Sequence, residues 1–579
     1  MASTLPELDS SRTDELPAAR EGQSPELVLQ QMLPDEYAWS YRTLALTGFW
    51  AILFMYFSYT PLFFSDIWGH VNYGLWMLEH GRLPIEDPFT PLAEGVPVIC
   101  TAWGGQVLFA LAVRLGGDPF VSNLFAVTTW VTMLVLVRAF YHRSGNLLAA
   151  HLGLLLVAIF IIGRHGIVRP EIFGGLSFAV LLWLVSRTPE WSLLRRDEPD
   201  DRSAWALWIG TPLLFVFWAN THGSWVVGLA LLAGCFAGRV LETAWTAGVS
   251  AVLTDRRALR WLLLTELAAA AVLVNPYGID LYINVLTFGS NPNLKDVLEW
   301  YQLKLLYLEG LSVMAGAVIT FALWRHSPRP VRVAEVLLLA LFTLLVAQTV
   351  RMVNWLGPIY AWAMAAHVGW LVEKTFAASP RARSFVDAFE HRSFRISALC
   401  LLVGWLGFAF SPASDFLLAA KPRSEKHLYA IGTPLEAMDF LRKHPPTSGM
   451  VLTPQWWGDF AIYKGPPGVP VVMNTNAVHV APRRVWQDYL TMANHRTNWT
   501  QTLDRYAVNT VFYDKAKQAT LIPAMKRQAA WKKIYEDDTA TIFGRKTVWK
   551  NQPVWKTPEK DQDAEQPLAP PATEVVDAR

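Results

Sequence analysis

Charge is what this sequence is shortest of. Of its 579 residues 17% are charged and 53% are hydrophobic, whereas a soluble domain carries roughly a quarter of charged residues. A formal net charge of +2, with no basic run, excludes the electrostatics of a nucleic-acid binder. Cysteine is scarce as well: Cys100, Cys235 and Cys400 stand far apart, which excludes a disulfide framework and a cysteine metal motif. No Gly-Lys-Ser/Thr loop is present to couple ATP, and neither an internal repeat nor a matched pair of broken helices is visible. Residues 1–40 are polar and rich in Pro, Ser and Glu, with no short apolar core ending in a cleavage site. They read as a disordered cytoplasmic tail rather than a signal peptide. Residues 549–579 read as a second disordered tail, with no anchor or retention signal.

The apolar residues come in long runs. Eleven candidate spans are expected, at about 43–63, 119–138, 146–163, 170–186, 204–219, 223–240, 259–275, 307–324, 333–350, 354–372 and 396–413. The 27 tryptophans suit a chain with two membrane interfaces. With the N-terminus cytoplasmic, the inner loops collect eighteen Arg and Lys, including Arg143, Arg195, Arg257 and Arg332, against seven outside. This bias sets the expected orientation in a plasma (inner) membrane. "TAWGGQVLFALAVRLGG" (Thr101 to Gly117), read as a span, would invert the pattern. It is therefore expected to lie on the outer surface as an interfacial helix, giving a long first external loop over 64–118 within a transmembrane domain of 41–415. Residues 416–548 read as an extracytoplasmic α/β domain. "MVLTP", "VPVVMN" and "NTVFYD" are its expected strands, and "RRVWQDYLTMANH" and "KQATLIPAMKRQ" its helices. Its basic residues, among them Arg483, Arg484 and Lys526, suit either anionic lipid head groups or an ordinary solvated surface.

The unusual polar residues gather at the external junctions. The first loop holds Asp66, His70, Glu86 and Asp87 in "FFSDIWGHVNYGLWMLEHGRLPIEDPFT". "GRHGIVRPEIF" adds Arg164, Arg169 and Glu171, "FWANTHGSW" adds Asn220 and His222, and "VNPYGIDLY" adds Asn275. "DVLEWYQLK" supplies Glu299 and "VRMVNWLGP" supplies Arg351 and Asn354. Ionisable groups at a membrane edge are functional candidates, although each has a plain structural reading. Asp66 could end a helix, Arg164 and Arg169 could snorkel, and Asn220 and His222 could cap a hairpin. A carboxylate here can take a proton from an acceptor hydroxyl, and an Arg or a divalent cation can neutralise a departing phosphate. Asp66 and His70, four apart, would share a helix face. Joined by Asp87 or His222, they would make a metal site. Glycosyl transfer needs this combination, and a sugar used outside the cell would travel on a lipid.

These residues carry a resemblance. "SDIWGHVNYGLWMLEHGRLPIEDPFT" resembles the first external loop of GT-C-class glycosyltransferases, which use lipid-linked sugars. "VRPEIF", "FWANTHGSW", "NPYG" and "LEWYQ" resemble a poorly characterised bacterial group of that class. The resemblance implies an α-helical polytopic membrane protein of GT-C-like fold, with about eleven transmembrane helices and an extracytoplasmic α/β domain. It implies a transferase of the cell envelope that takes sugar from a polyprenyl phosphate carrier, with membrane lipids around it. By the same resemblance Asp66 is the base or a metal ligand, with His70 as its companion in a metal pair. Glu86 or Asp87 is the second acidic position, and Arg169, Arg164 or Arg351 holds the phosphate. His70, Asn220, His222, Asn275 and Glu299 are substrate contacts. The cofactor stays open, a divalent metal ion being the one candidate. The first loop has no Asp-x-Asp pair, and "QWWGDF" departs from the "WWDYG" signature of oligosaccharyltransferases, so N-linked protein glycosylation is not implied. The competing readings are a transporter or flippase of lipid-linked glycans and a non-catalytic envelope-assembly scaffold.

Overall fold

The computed structural model describes residues 41–63, 66–161, 166–194, 201–377, 379–380, 399–400, 403–404 and 428–550. The expected span 396–413 and the two tails lie almost wholly outside these residues, as does Arg164. The chain divides into two compact units. One is drawn from Met1–Leu62, Thr101–Gly289 and Lys295–Leu428, the other from Phe63–Cys100, Ser290–Leu294 and Tyr429–Arg579.

The first unit is helical. Each of the first ten expected spans falls on a helix, from Tyr41–Ser58 to Val353–Ala377. Among the described residues three helices are long and apolar enough to cross a membrane: Asp118–Ser144, Trp225–Ala247 and Leu308–His326. Four shorter apolar ones, such as Leu147–Ile161 and Glu171–Ser186, pack with them. Large apolar side chains stay exposed on their outer faces, for example Ile52, Leu155, Leu213 and Phe321. Such a surface is costly in water and neutral in lipid, so it marks a membrane location. Helix Asp118–Ser144 is the hub, touching Tyr41–Ser58, Trp103–Gly116, Leu147–Ile161, Glu171–Ser186 and Val353–Ala377. Helix Trp103–Gly116 has fourteen residues, about 21 Å of rise and short of a span. Its N-terminal glycines let it approach the end of helix Asp201–Thr221 closely. A Cβ on Gly104 or Gly105 would lie 2.7 Å from the carbonyl of Asn220 or Thr221.

Near one end of the bundle a buried ion pair joins Arg143 to Glu335. The Arg143 guanidinium lies against the touching rings of Trp191 and Trp362, 5.0 and 4.8 Å from their centroids, and donates to the Trp191 carbonyl.

The second unit is α/β. Its sheet has the order β1–β2–β4–β3, built from β1 (Met450–Leu452), β2 (Val508–Asp514), β3 (Trp531–Glu536) and β4 (Ala540–Arg545). β1 and β2 run parallel, and β4 is antiparallel to both β2 and β3. The sequence reading found β1 and β2 but not the β3–β4 hairpin. "VPVVMN" forms only a single bridge, Val451 to Val471. Pro470 brings a carbonyl but no N–H to that edge. "KQATLIPAMKRQ" contains one short helix, Ile522–Lys526, with its proline in the first turn.

The helix Ile67–His80 belongs to this second unit. Trp68 is fully buried and stacks on Tyr463 at 4.7 Å, and Asn72 donates to the carbonyl of Asp459 at 3.1 Å. The partner helix, Gln455–Lys464, is the one that "QWWGDF" opens.

Candidate functional site

The expected site residues divide between the two units, and each unit has its own polar centre. In the helical unit two guanidinium groups and two carboxylates alternate. Arg169 Nε lies 3.2 Å from Glu171 Oε2, and its Nη2 donates to Glu299 Oε2 at 3.0 Å. Arg351 completes the group, 3.6 Å from Glu299 and 3.9 Å from Glu171, with its guanidinium over the Trp300 ring. Asn354 Nδ2 donates to Glu171 Oε1 at 2.8 Å, while its Oδ1 is buried with no partner among the described residues. The local folding is explicable. Glu171 stands in the first turn of helix Glu171–Ser186, where the helix dipole favours a carboxylate. Pro358 inside helix Val353–Ala377 has no N–H for the carbonyl of Asn354.

Beside this group a cavity of about 150 Å³ opens among apolar side chains including Phe125, Leu136, Val157 and Phe178. Arg169, Glu171 and Asn354 line its polar part. An apolar chamber with one guanidinium, that of Arg169, at its border suits an anion that carries a hydrocarbon tail.

The second unit gathers carboxylates. Asp66 occupies the N-cap position of helix Ile67–His80, and its carbonyl accepts from His70 N at 3.0 Å. Asp66 and His70 thus stand one turn apart on the same edge. Asp87 is buried: its Oδ1 accepts from Phe89 N at 2.9 Å, and its Oδ2 has no partner among the described residues. Glu86 is exposed and closes a turn by accepting from Gly95 N at 3.1 Å. Asp459 is also buried, with Oδ2 held by the Thr475 amide and hydroxyl and Oδ1 unpartnered among the described residues. Burial pushes its carboxyl up to about 7; the Thr475 bonds oppose that rise, and the charges of Asp66 and Asp87 add to it. Burial and the Asp87 charge likewise raise Tyr73 well above the ordinary phenol range. Asn476 Nδ2 donates to the Tyr73 hydroxyl at 2.6 Å. A side chain at Gly69 would meet Asp459, with its Cβ 2.6 Å from Oδ1, so glycine is what lets this helix lie against the acid.

The chain is similar in fold to an archaeal oligosaccharyltransferase. The structure of that enzyme from Archaeoglobus fulgidus, tethered to an acceptor peptide with an NVT sequon, matches 84% of this chain and 70% of its own. The TM-score is 0.50 and the identity 13%, a likeness of fold alone. ArnT from Cupriavidus metallidurans bound to undecaprenyl phosphate matches 86% of this chain and 97% of its own, at 13% identity and a TM-score of 0.47. No family model and no curated protein matches the sequence.

Three other expected residues have their polar atoms engaged by neighbouring groups. Asn220 donates to the carbonyls of Val216 and Val274 and accepts from the Trp103 indole at 2.9 Å. His222 Nδ1 meets the Ser224 hydroxyl at 2.8 Å in the turn between two helices. Asn275 accepts from Tyr277 N and donates to Val272 and Gly278. Among the described residues no three His, Cys, Asp or Glu side chains converge as metal ligands.

Sequence reasoning did not single out Asp459. Its signal was present: an aspartate directly following "WWG" in an otherwise apolar helix start, where an acid is seldom buried without a reason.

Proposed function

We propose that this chain is an integral-membrane glycosyltransferase. It moves a sugar from a polyprenyl-phosphate carrier to an envelope glycan, lipid or protein at the outer face of the plasma membrane. The observation that carries this reading is the apolar cavity bordered by Arg169, Glu171 and Asn354. It matches a phosphate group with a hydrocarbon tail, and the fold likeness to an oligosaccharyltransferase agrees with sugar transfer. The motif resemblance to a bacterial group of GT-C proteins belongs to the same reading, as does the cytoplasmic N-terminus taken from the bias of basic residues.

In this mechanism a carboxylate, the role the motif resemblance gives to Asp66, accepts the proton of the acceptor hydroxyl as its oxygen bonds to the anomeric carbon. The bond from that carbon to the carrier phosphate breaks through an oxocarbenium-like state. The electron pair leaves with the phosphate, whose growing charge Arg169 and Arg351 neutralise. Of the second acidic pair, Asp87 is assigned rather than Glu86, because Asp87 Oδ2 is buried and unpartnered among the described residues while Glu86 closes a turn. Asn354 Oδ1 is an open acceptor for a donor on the ligand.

The test is sugar transfer by the protein in lipid nanodiscs, offered a panel of radiolabelled polyprenyl-phosphate sugars with and without divalent metal. Transfer or donor hydrolysis is expected in the wild type, falling roughly 10²–10⁴-fold in a folded Asp66→Asn variant. Equal movement of intact donor across the bilayer by both proteins would replace this reading with a flippase.

A further inference from the structure

Resting on that reading, the geometry points to Glu299 as an internal stand-in for the carrier phosphate. We infer that the phosphoryl group displaces Glu299 from Arg169 and Arg351, and that this exchange releases the segment around Glu299.

The charges make the case. Among the described residues two guanidinium groups face two carboxylates, so their charges balance before any ligand arrives. The sugar-bearing carrier, a phosphodiester, brings one negative charge, and the carrier phosphate left after transfer, a monoester like undecaprenyl phosphate, brings about −1.5 to −2. Added beside both glutamates it would be repelled; exchanged for one of them it is not. The two glutamates are not equally replaceable. Glu171 sits in a regular helix, its side chain is 12% exposed, and it also holds Asn354. Glu299 sits on the short 3₁₀ turn Leu298–Trp300 with its side chain 26% exposed. The turn is fastened by Thr349 Oγ1 donating to the Glu299 carbonyl at 3.1 Å and Val350 N donating to the Tyr301 carbonyl at 3.0 Å. Both fasteners lie within two residues of Arg351, so one short segment holds the Glu299 turn by these two bonds and by its guanidinium.

The position of Glu299 in the chain gives this exchange a consequence. Ser290–Leu294 belongs to the second unit, and the chain re-enters the helical unit at Lys295. Glu299 follows that re-entry closely and holds Arg169. Carrier occupancy is therefore reported to the segment of the helical unit that begins at Lys295.

The experiment uses the full chain in nanodiscs with undecaprenyl phosphate as probe, and undecaprenol and inorganic phosphate as controls. Glu299→Gln keeps the shape and removes the competing charge, so its affinity for the lipid phosphate should rise about tenfold, with undecaprenol binding unmoved. Independently of any variant, hydrogen exchange on the wild type should show residues 296–302 and 349–352 losing protection when undecaprenyl phosphate is added. Equal affinity of both proteins for the lipid phosphate, or unchanged or increased protection in these residues, overturns the stand-in and leaves the carrier reading intact. Failure of both proteins to bind undecaprenyl phosphate overturns the two together. Binding of inorganic phosphate with the same gain would keep the exchange but detach it from the lipid tail.

Discussion

Arg143 and Arg169 are buried guanidinium groups flanking the same apolar helix, Leu147–Ile161, yet they are held in opposite ways. Among the described residues Arg143 has one carboxylate, Glu335, which is fully buried on a helix, and the indoles of Trp191 and Trp362 beside it. Arg169 shares two carboxylates with Arg351, one of them on a short turn, beside an open cavity. The same chemical pair thus serves as a fixed strut in one place and an exchangeable contact in the other. What differs is the surroundings of the acid: Glu335 is wholly enclosed on a helix, whereas Glu299 is partly exposed on a short turn.

The largest expected effect comes from breaking the strut. Glu335→Ala leaves Arg143 charged, buried and without its acid, and loss of one partner from such a pair costs about 3–5 kcal/mol. Thermal unfolding in nanodiscs should show a large fall for Glu335→Ala and a much smaller one for Glu299→Ala, whose side chain is partly exposed and whose guanidinium partners keep Glu171. Equal falls would mean that both pairs are struts, and the contrast would be gone.

Much of the helical unit was legible because burial in a membrane writes itself as long apolar runs, and the ten described runs each became a helix. Arg169, Arg351 and Glu299 were legible for the converse reason, being charges at the ends of such runs. Their mutual pairing was not, since Glu299 and its two guanidinium partners are far apart in the chain and nothing local records it. The second unit was harder to read. Its β3–β4 hairpin contains Lys532, Lys533 and Glu536, which mask the alternation that marks a strand. The helix Ile67–His80 also follows an apolar run in sequence but folds with a segment almost 400 residues later, through Trp68, Asn72 and Gly69.

Asp459 sharpens the comparison, because it is a buried charge site with neither arrangement. It has donors from Thr475, no ion-pair partner among the described residues, and two acids that oppose its ionisation. Its carboxyl is raised from an unfolded value of about 3.9 to about 7 in the fold. Between those values the folded state binds the additional proton, so stability is greatest below about pH 4 as far as this group is concerned. It falls as pH rises towards 7 and is level above. Asp459→Asn keeps an acceptor for Thr475 and removes the titration. Its unfolding midpoint should lack this component of the pH dependence and, above pH 7, lie higher than the wild type by an amount worth a few kcal/mol at most. A wild-type slope of the opposite sign would mean that Asp459 is stabilised as the anion, and hence that a cation reaches it.

The smallest expected effect tests the residues that hold backbone rather than one another. Asn220 joins three helix ends: its amide donates to Val216 and Val274, and its oxygen accepts from Trp103. Each such bond contributes about 0.5–1.5 kcal/mol net, and a buried group left unpaired costs somewhat more. Asn220→Ala should therefore lower stability by roughly 1–3 kcal/mol, less than Glu335→Ala because no charge is stranded. Trp103→Phe removes one of the same bonds and should cost about 1 kcal/mol. In the double variant the two losses should fall short of their sum, since both delete the Trp103–Asn220 contact. Full additivity would mean that the Trp103–Asn220 bond contributes nothing to stability.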